Sequence, residues 1–404
     1  AVARGKIIYG NASGASALLA PGSDGTVLSS DGTDISWAAA SGGVTFKEGG
    51  TNFSNSLLVG TSATGTLNAA EGNTGVGTGV FGALTTGDNN VAVGLNALDL
   101  NTTGGANTAV GAAALDANTT ANNNTAVGNL SATGNTTGTN NSALGFQSFV
   151  TNTTGSGNVA IGVNSLYANT TASNNIAVGL SALEANTTGH SNIAIGANSL
   201  DANTTTSENV SIGHQSMGAN TAGSQTTAVG VFALQKNTTG YQNTAIGYEA
   251  LHDNTEAHDN VALGAYALHK NTTATANTGL GLQTLFTNTV GHSNTAVGFK
   301  AMLDNTTGDY HTAIGRDALA NNTTANDNTA VGYVALCTNT TGGTNAVFGG
   351  YALLDNTSGA NNVAVGISSL ENNTTASRNA AVGFRSLYSN TTASEITAVG
   401  SCAL

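Results

Sequence analysis

From Asn73 onward the apolar positions fall into a fixed pattern, a small residue followed by a large one, twice in every 17 residues. The units begin NTGVG at Asn73, NVAVG at Asn90 and NTAVG at Asn107, and continue to ITAVG at Ile396, giving twenty starts at one spacing. The consensus is N-T-A-V-G-x-x-A-L-x-x-N-T-T-G-x-x, numbered below as positions 1 to 17. A spacing kept over so many units is the signature of a solenoid, in which each unit is one coil stacked on the last. Seventeen residues are too few for a helix pair, and Asn, Thr and Gly within five residues disfavour any helix. The pattern therefore predicts an all-β, parallel β-solenoid of about twenty 17-residue coils. Short strands such as Thr108 to Val110 would stack on their equivalents about 4.8 Å apart, making a rod roughly 90 Å long.

Each position then acquires an expected role. Position 4 is always large and apolar, as in Val110, Ile161, Leu263 and Phe348, and with the following glycine it is expected to define an inward-facing strand and its bend. Position 9 is Leu, Phe or Met in every unit except at Ala132, and positions 3 and 8 are small, so each coil should offer two large and two small plugs. Position 5 is glycine in all twenty units, among them Gly77, Gly111, Gly162, Gly196, Gly247, Gly298 and Gly400. Such invariance points to a backbone conformation closed to other residues, or to a close approach by the neighbouring coil. Asn at position 12 is expected at the opposite bend, where asparagine tolerates positive φ and stacked amides form a ladder.

The pattern also divides the chain. Residues 73–404 form the repeat domain, and residues 56–72 keep Val59, Gly60 and Ala63 in register but little else, as a degenerate opening coil would. Residues 1–55 read as a separate β-rich attachment or assembly segment of short strands between Gly and Asp turns, with Tyr9 and Trp37 as anchors and residues 40–43 as a linker. The last residue, Leu404, is a position-9 plug, so a further domain, a partner or the next subunit is expected to cover it.

Composition narrows the function. A net charge of −13 with nine Lys and Arg lacks the basic face that nucleic acid requires. No apolar run is long enough for a membrane-spanning helix, and no secretory leader pattern opens the chain. Cys337 and Cys402 occupy different repeat positions and read as incidental thiols. The seven histidines scatter without metal spacing, and no nucleophile motif, phosphate loop or calcium-binding nonapeptide occurs, so no catalytic residue, metal or cofactor is expected. Apolar burial of a few side chains per coil falls short of the entropy of ordering 17 residues, which favours further burial between chains, as in a homotrimer.

The repeat carries a family likeness. Asn158-Val-Ala-Ile-Gly-Val-Asn-Ser165, with Ala194-Ile-Gly-Ala-Asn-Ser199 and Ser211-Ile-Gly-His-Gln-Ser216, resembles the head repeats of YadA-type trimeric autotransporter adhesins over residues 73–404. That resemblance implies a left-handed parallel β-roll in a homotrimer, although this coil is about three residues longer, the excess lying around the NTTG bend. The NTAVGxxAL…NTTG array, preceded by Ile8 to Gly14 and Gly25 to Leu28, also looks like bacteriophage and algal-virus tail-fibre proteins.

Two surface signals remain. Asn101, Asn118, Asn135, Asn152, Asn169, Asn186, Asn203, Asn237, Asn271, Asn305, Asn322, Asn339, Asn356, Asn373 and Asn390 each open an N-glycosylation sequon as well as marking position 12. They are read as an asparagine ladder or as glycan sites. Positions 6 and 7 vary most, and Phe146, His214, Tyr248, Phe299 and Phe384 there are candidate surface contacts for a receptor or glycan. The chain is thus expected to be a non-enzymatic fibre or adhesin, a spacer and contact rod of a tail fibre or extracellular appendage, on a virion or outside the cell. A glycosylated filament subunit polymerising head to tail and an ice-binding solenoid are the alternatives.

Overall fold

The computed structural model describes residues 53–60 and 66–404 in full, together with the backbone of strands at Ile7–Gly10, Ser16–Leu19, Thr26–Ser30, Ile35–Ala39 and Phe46–Glu48. The described residues contain no helix. Ile7–Gly10 pairs antiparallel with Ser16–Leu19, and Thr26–Ser30 with Ile35–Ala39, forming two hairpins in the N-terminal segment. The proposed anchors Tyr9 and Trp37 have no described side chains, and the linker at 40–43 and Ala63 lie outside the described residues.

The rest is the expected parallel β-solenoid. Thr74–Val76 pairs parallel with Val91–Val93, which pairs with Thr108–Val110, and the same three-residue ladder continues to Thr397–Val399 with position matched to position. Leu57–Val59 extends the ladder one coil backward, setting Leu58 against Gly75, and on its other side Phe46–Glu48 adds antiparallel. An antiparallel strand across the first coil covers an edge that would otherwise offer unpaired backbone groups.

The inward face differs from the expectation in one respect. A three-residue strand can turn only its middle residue or its two flanking residues inward. Here the middle residue is inside: Ala92, Ala109 and Ala126 are fully buried, whereas Ile161, Leu263 and Phe348 at position 4 are exposed. Position 4 therefore faces outward, and the usual coil has a single large plug, the position-9 residue, such as Leu98, Leu115 or Met217; the first coil adds Val80 and Leu84 to Phe81, and Val347 joins Leu353. The remaining interior consists of small residues at positions 3, 8 and 15 and of asparagines at positions 1 and 12. Two consecutive residues, 8 and 9, point inward, which a regular strand cannot do. The chain achieves this with left-handed backbone on either side: Gln215 at position 7 has φ 50° and Met217 at position 9 has φ 50°.

Position 5 behaves as its invariance implies. Gly196 has φ +134°, and a Cβ there would sit 2.5 Å from the carbonyl oxygen of Gly213 in the next coil. Backbone angle and packing against the next coil both exclude a side chain. Position 12 does not behave as expected. Its asparagines have no left-handed backbone, which falls instead at positions 7, 9 and 17, as at Asn123 (φ 60°). They are held by their amides. Asn118 Nδ2 donates to Asn101 Oδ1 at 2.9 Å and to Ala121 O at 3.2 Å, and the contact recurs coil by coil to Asn390.

A second ladder runs at position 1, where 17 of the twenty residues are asparagine. Each Oδ1 accepts from the next coil's backbone N–H, as Asn90 does from Asn107 at 2.9 Å, and each Nδ2 reaches a position-15 carbonyl, as Asn90 does at Gly104 O, 2.9 Å. His311 replaces asparagine in this column and reproduces both bonds. Its Nδ1 accepts from Asn328 N–H at 3.1 Å and its Nε2 donates to Ala325 O at 2.6 Å, which fixes the Nε2–H tautomer. Threonines at position 13 add a third series, in which Thr102 Oγ1 donates to Thr119 O at 3.0 Å. Amides thus occupy two of the six inward positions, and their polar groups are satisfied both within each coil and along the rod axis.

Candidate binding face

With positions 1, 3, 8, 9, 12 and 15 inside, the outward columns are determined by the same winding. Positions 2 and 4 are the outward residues of the strand, and position 6 follows its bend. They form an apolar stripe along the rod, including Leu144 (49% exposed), Phe146 (47%), Ile161, Leu180, Phe348 and Phe384. Among the sequence candidates Phe146, Tyr248, Phe299 and Phe384 are exposed, as is His214. They stand in one column but are spread over many coils, so they form a face and not a pocket.

Positions 7 and 10 stand on either side of the inward pair 8 and 9, and position 10 of one coil meets position 7 of the coil before it. Three pairs show this 20-residue relationship: Gln235 Nε2 donates to Gln215 Oε1 at 2.8 Å, His269 Nε2 lies 2.9 Å from Glu249 Oε2, and Tyr266 packs edge-on against Phe286. Between Asp201 and Phe286 these columns carry most of the chemistry on the rod. His252, His269 and Phe286 stack nearly parallel, each 5.1 Å from the next, as successive position-10 residues. Beside them Phe232, Tyr248 and Tyr266 form an edge-to-face series that His214 extends.

Polar groups tie the series together. His252 bonds Gln235 Oε1 and Asp253 Oδ1, each at 2.7 Å, and Lys236 Nζ reaches the same Asp253 oxygen at 2.8 Å. The hydrogen bond that Tyr248 gives to Glu249 pushes its phenol up to about 12. Burial raises the Asp201 carboxyl and the charge of Glu184 adds to this, against hydrogen bonds from the backbone and from Asn198. A cavity of about 380 Å³ opens at one end, lined by Asp201, Gln215, Gly218, Ala219, Gln235 and Lys236.

The position-7 and position-10 pairing was not legible before the coil was known. The signal was present as a concentration of His, Tyr and Phe between residues 214 and 286, but linear order does not say which of them meet. Further along, Arg316 lies over both Phe299 and Tyr333, and Arg385 over Phe384 and Tyr388, so charged and aromatic residues also pair elsewhere on this side.

The sequon asparagines stand in a different environment. The position-12 sequon asparagines from Asn101 to Asn373 are fully buried, and the Nδ2 to which a glycan would attach already donates twice, as at Asn118. The fold realises the ladder reading and leaves no room for the glycan reading. Among the described residues no cluster of His, Cys, Asp or Glu is arranged to hold a metal ion. Comparison with protein-family models, curated proteins and solved structures finds no match.

Proposed function

We propose that this chain is a non-enzymatic fibre element, a rod that spaces and presents a contact face on a tail fibre or comparable extracellular appendage. The observation that carries the reading is the contrast between inside and outside. Positions 1, 3, 5, 9 and 12 hardly change over twenty coils, whereas positions 6, 7, 10 and 11 change from coil to coil. A rod needs the first property, and a surface that meets a receptor or glycan at many points uses the second. The likeness of the repeat to adhesin heads and to tail-fibre arrays supports the same reading.

The outward apolar stripe at positions 2, 4 and 6 favours side-by-side association of copies, with a homotrimer as the arrangement. Contiguous apolar surface along a whole rod exceeds what a solitary chain ordinarily leaves in water. Light scattering on the purified chain, with electron microscopy of the particles, tests this. Rods of about 90 Å containing three chains are expected. Monodisperse single chains would overturn the trimer, and an endless fibril would replace it with head-to-tail polymerisation. Binding of labelled rods to host-type cells, lost when exposed residues of the contact face are replaced by alanine, tests the adhesive role.

A further inference from the structure

We infer that the notch at Gly218 is a subsite for one neutral hexopyranose unit, an inference that rests on the reading of the rod as a glycan-contacting surface. Only two coils carry glycine at position 10, at Gly82 and Gly218. The two are not alike. A side-chain carbon at Gly82 would collide with the Asp99 carboxylate, which already fills the place. At Gly218 it would meet its nearest neighbour, Asp201 Oδ1, only at 3.4 Å, in ordinary contact. The vacancy between Asp201 and Gln235 is therefore left open by the packing, and Ala219 at position 11 widens it into the cavity described above.

The lining groups match a polyhydroxylated ring. Asp201 supplies carboxylate lone pairs for hydroxyl donors. Gln235 is fixed, its Nε2 donating to Gln215 Oε1 and its Oε1 accepting from His252 Nε2. That arrangement spends the Gln215 oxygen and leaves the Gln215 amide nitrogen to donate. Lys236 uses one hydrogen on Asp253 and keeps two. An acceptor and two donors over a floor of Gly218 and Ala219 is the arrangement that recognises adjacent hydroxyls on an apolar ring face. The charge argues for a neutral sugar. Lys236 is already paired with Asp253, while Asp201 and its neighbour Glu184 have no cation among their described partners, so a carboxylated sugar would meet net negative charge.

The test is saturation-transfer NMR on the intact chain with the α- and β-methyl glycosides of glucose, galactose, mannose and N-acetylglucosamine, and with glucuronic acid as the charged comparison. At least one neutral glycoside is expected to receive saturation, and glucuronic acid none. Gly218→Leu should bring the signal to background, since the backbone there does not require glycine and the leucine fills the notch. Asp201→Asn should weaken binding about tenfold or more, as expected for loss of a hydrogen bond to a charged group. Gly350→Leu, at another open glycine, should leave binding unchanged and serves as the folding control. A glycoside signal that survives Gly218→Leu overturns the notch while leaving the rod a glycan binder. No signal from any glycoside overturns the notch as well, and the cell-binding assay then decides separately whether the rod is adhesive.

Discussion

Asn118 donates its side-chain amide to Asn101, 17 residues earlier, at 2.9 Å, and Asn135 repeats the contact with Asn118 at 3.1 Å. Each amide is held by the coil before it and holds the coil after it, so the column reads the register of the whole rod. A slip of one residue would put threonine or a variable residue into the amide column and leave an amide on each side without its partner. This column supplies directional specificity that alanine and one leucine per coil do not.

Asn271 lies mid-column, donating to Asn254 Oδ1 at 3.1 Å and to Ala274 O at 2.9 Å, and accepting from Asn288 at 3.1 Å. Asn271→Ala should destabilise the coil by about 1–3 kcal/mol, the cost of leaving buried polar groups unpaired. Because coils contact only their neighbours, the loss should be local. Amide hydrogen exchange should accelerate around residues 254–291, and unchanged protection there would refute the structural role of the ladder.

The same burial bears on the sequons. Chains recovered folded from a glycosylating host should show the unmodified polypeptide mass at Asn101 to Asn373, because a glycan would replace a hydrogen that is already bonded inside the rod. Peptide mapping by mass spectrometry reads this site by site, which an intact mass cannot, because Asn123 and Asn129 open further sequons that are exposed. A folded chain carrying glycans at these positions would contradict the observed packing.

Glycine at position 5 and glycine on the surface should respond very differently to the same change. Gly196→Ala combines a φ of +134° with a 2.5 Å approach to the Gly213 carbonyl oxygen, and should cost about 3 kcal/mol or more. Gly350→Ala meets nothing closer than 3.8 Å and should stay within about 0.5 kcal/mol of the parent. Denaturant melts of the two variants supply the comparison, and equal stabilities would show that the invariance of position 5 has another cause.

His311 gives the rod a pH-sensitive coil. Burial holds its pKa below the ordinary value, against opposing hydrogen bonds to Ala325 and Asn328 and the nearby charges of Asp327 and Asp309. The native state keeps the ring neutral, whereas the unfolded chain takes up a proton near pH 6.5. Stability from this site is therefore complete above about pH 6.5 and is lost as the pH falls towards the lower native value. His311→Asn should remove that dependence, since asparagine makes both bonds without titrating. Melts between pH 7.5 and 5, with protection followed at residues 294–328, should show a smaller acid loss in the variant.

Charges on the apolar stripe test self-association. Leu144→Glu with Phe146→Glu, both at outward positions, should leave the secondary structure intact and lower the particle mass in light scattering. An unchanged mass would mean that copies do not meet on this stripe.

By itself the sequence determined the winding. A 17-residue interval kept for twenty units, with glycine fixed at position 5, leaves a parallel stack as the arrangement in which like residues meet like, and that stack is what forms. It also marked the outward candidates, since Phe146, Tyr248 and Phe384 vary where the coil is free to vary. Which way each apolar residue points was decided only in three dimensions. A three-residue strand satisfies its pattern equally well with Val110 inside or with Ala109 inside, and the choice fell to the narrow interior, which in this coil places alanine beside a left-handed Leu115. The amide columns were visible as recurring asparagines, yet their partners lie one full coil away in the chain, and only closure of the turn brings them to about 3 Å. The meeting of position 7 with position 10 likewise depends on two inward residues between them, a departure from alternation that backbone dihedrals impose and residue order alone does not reveal.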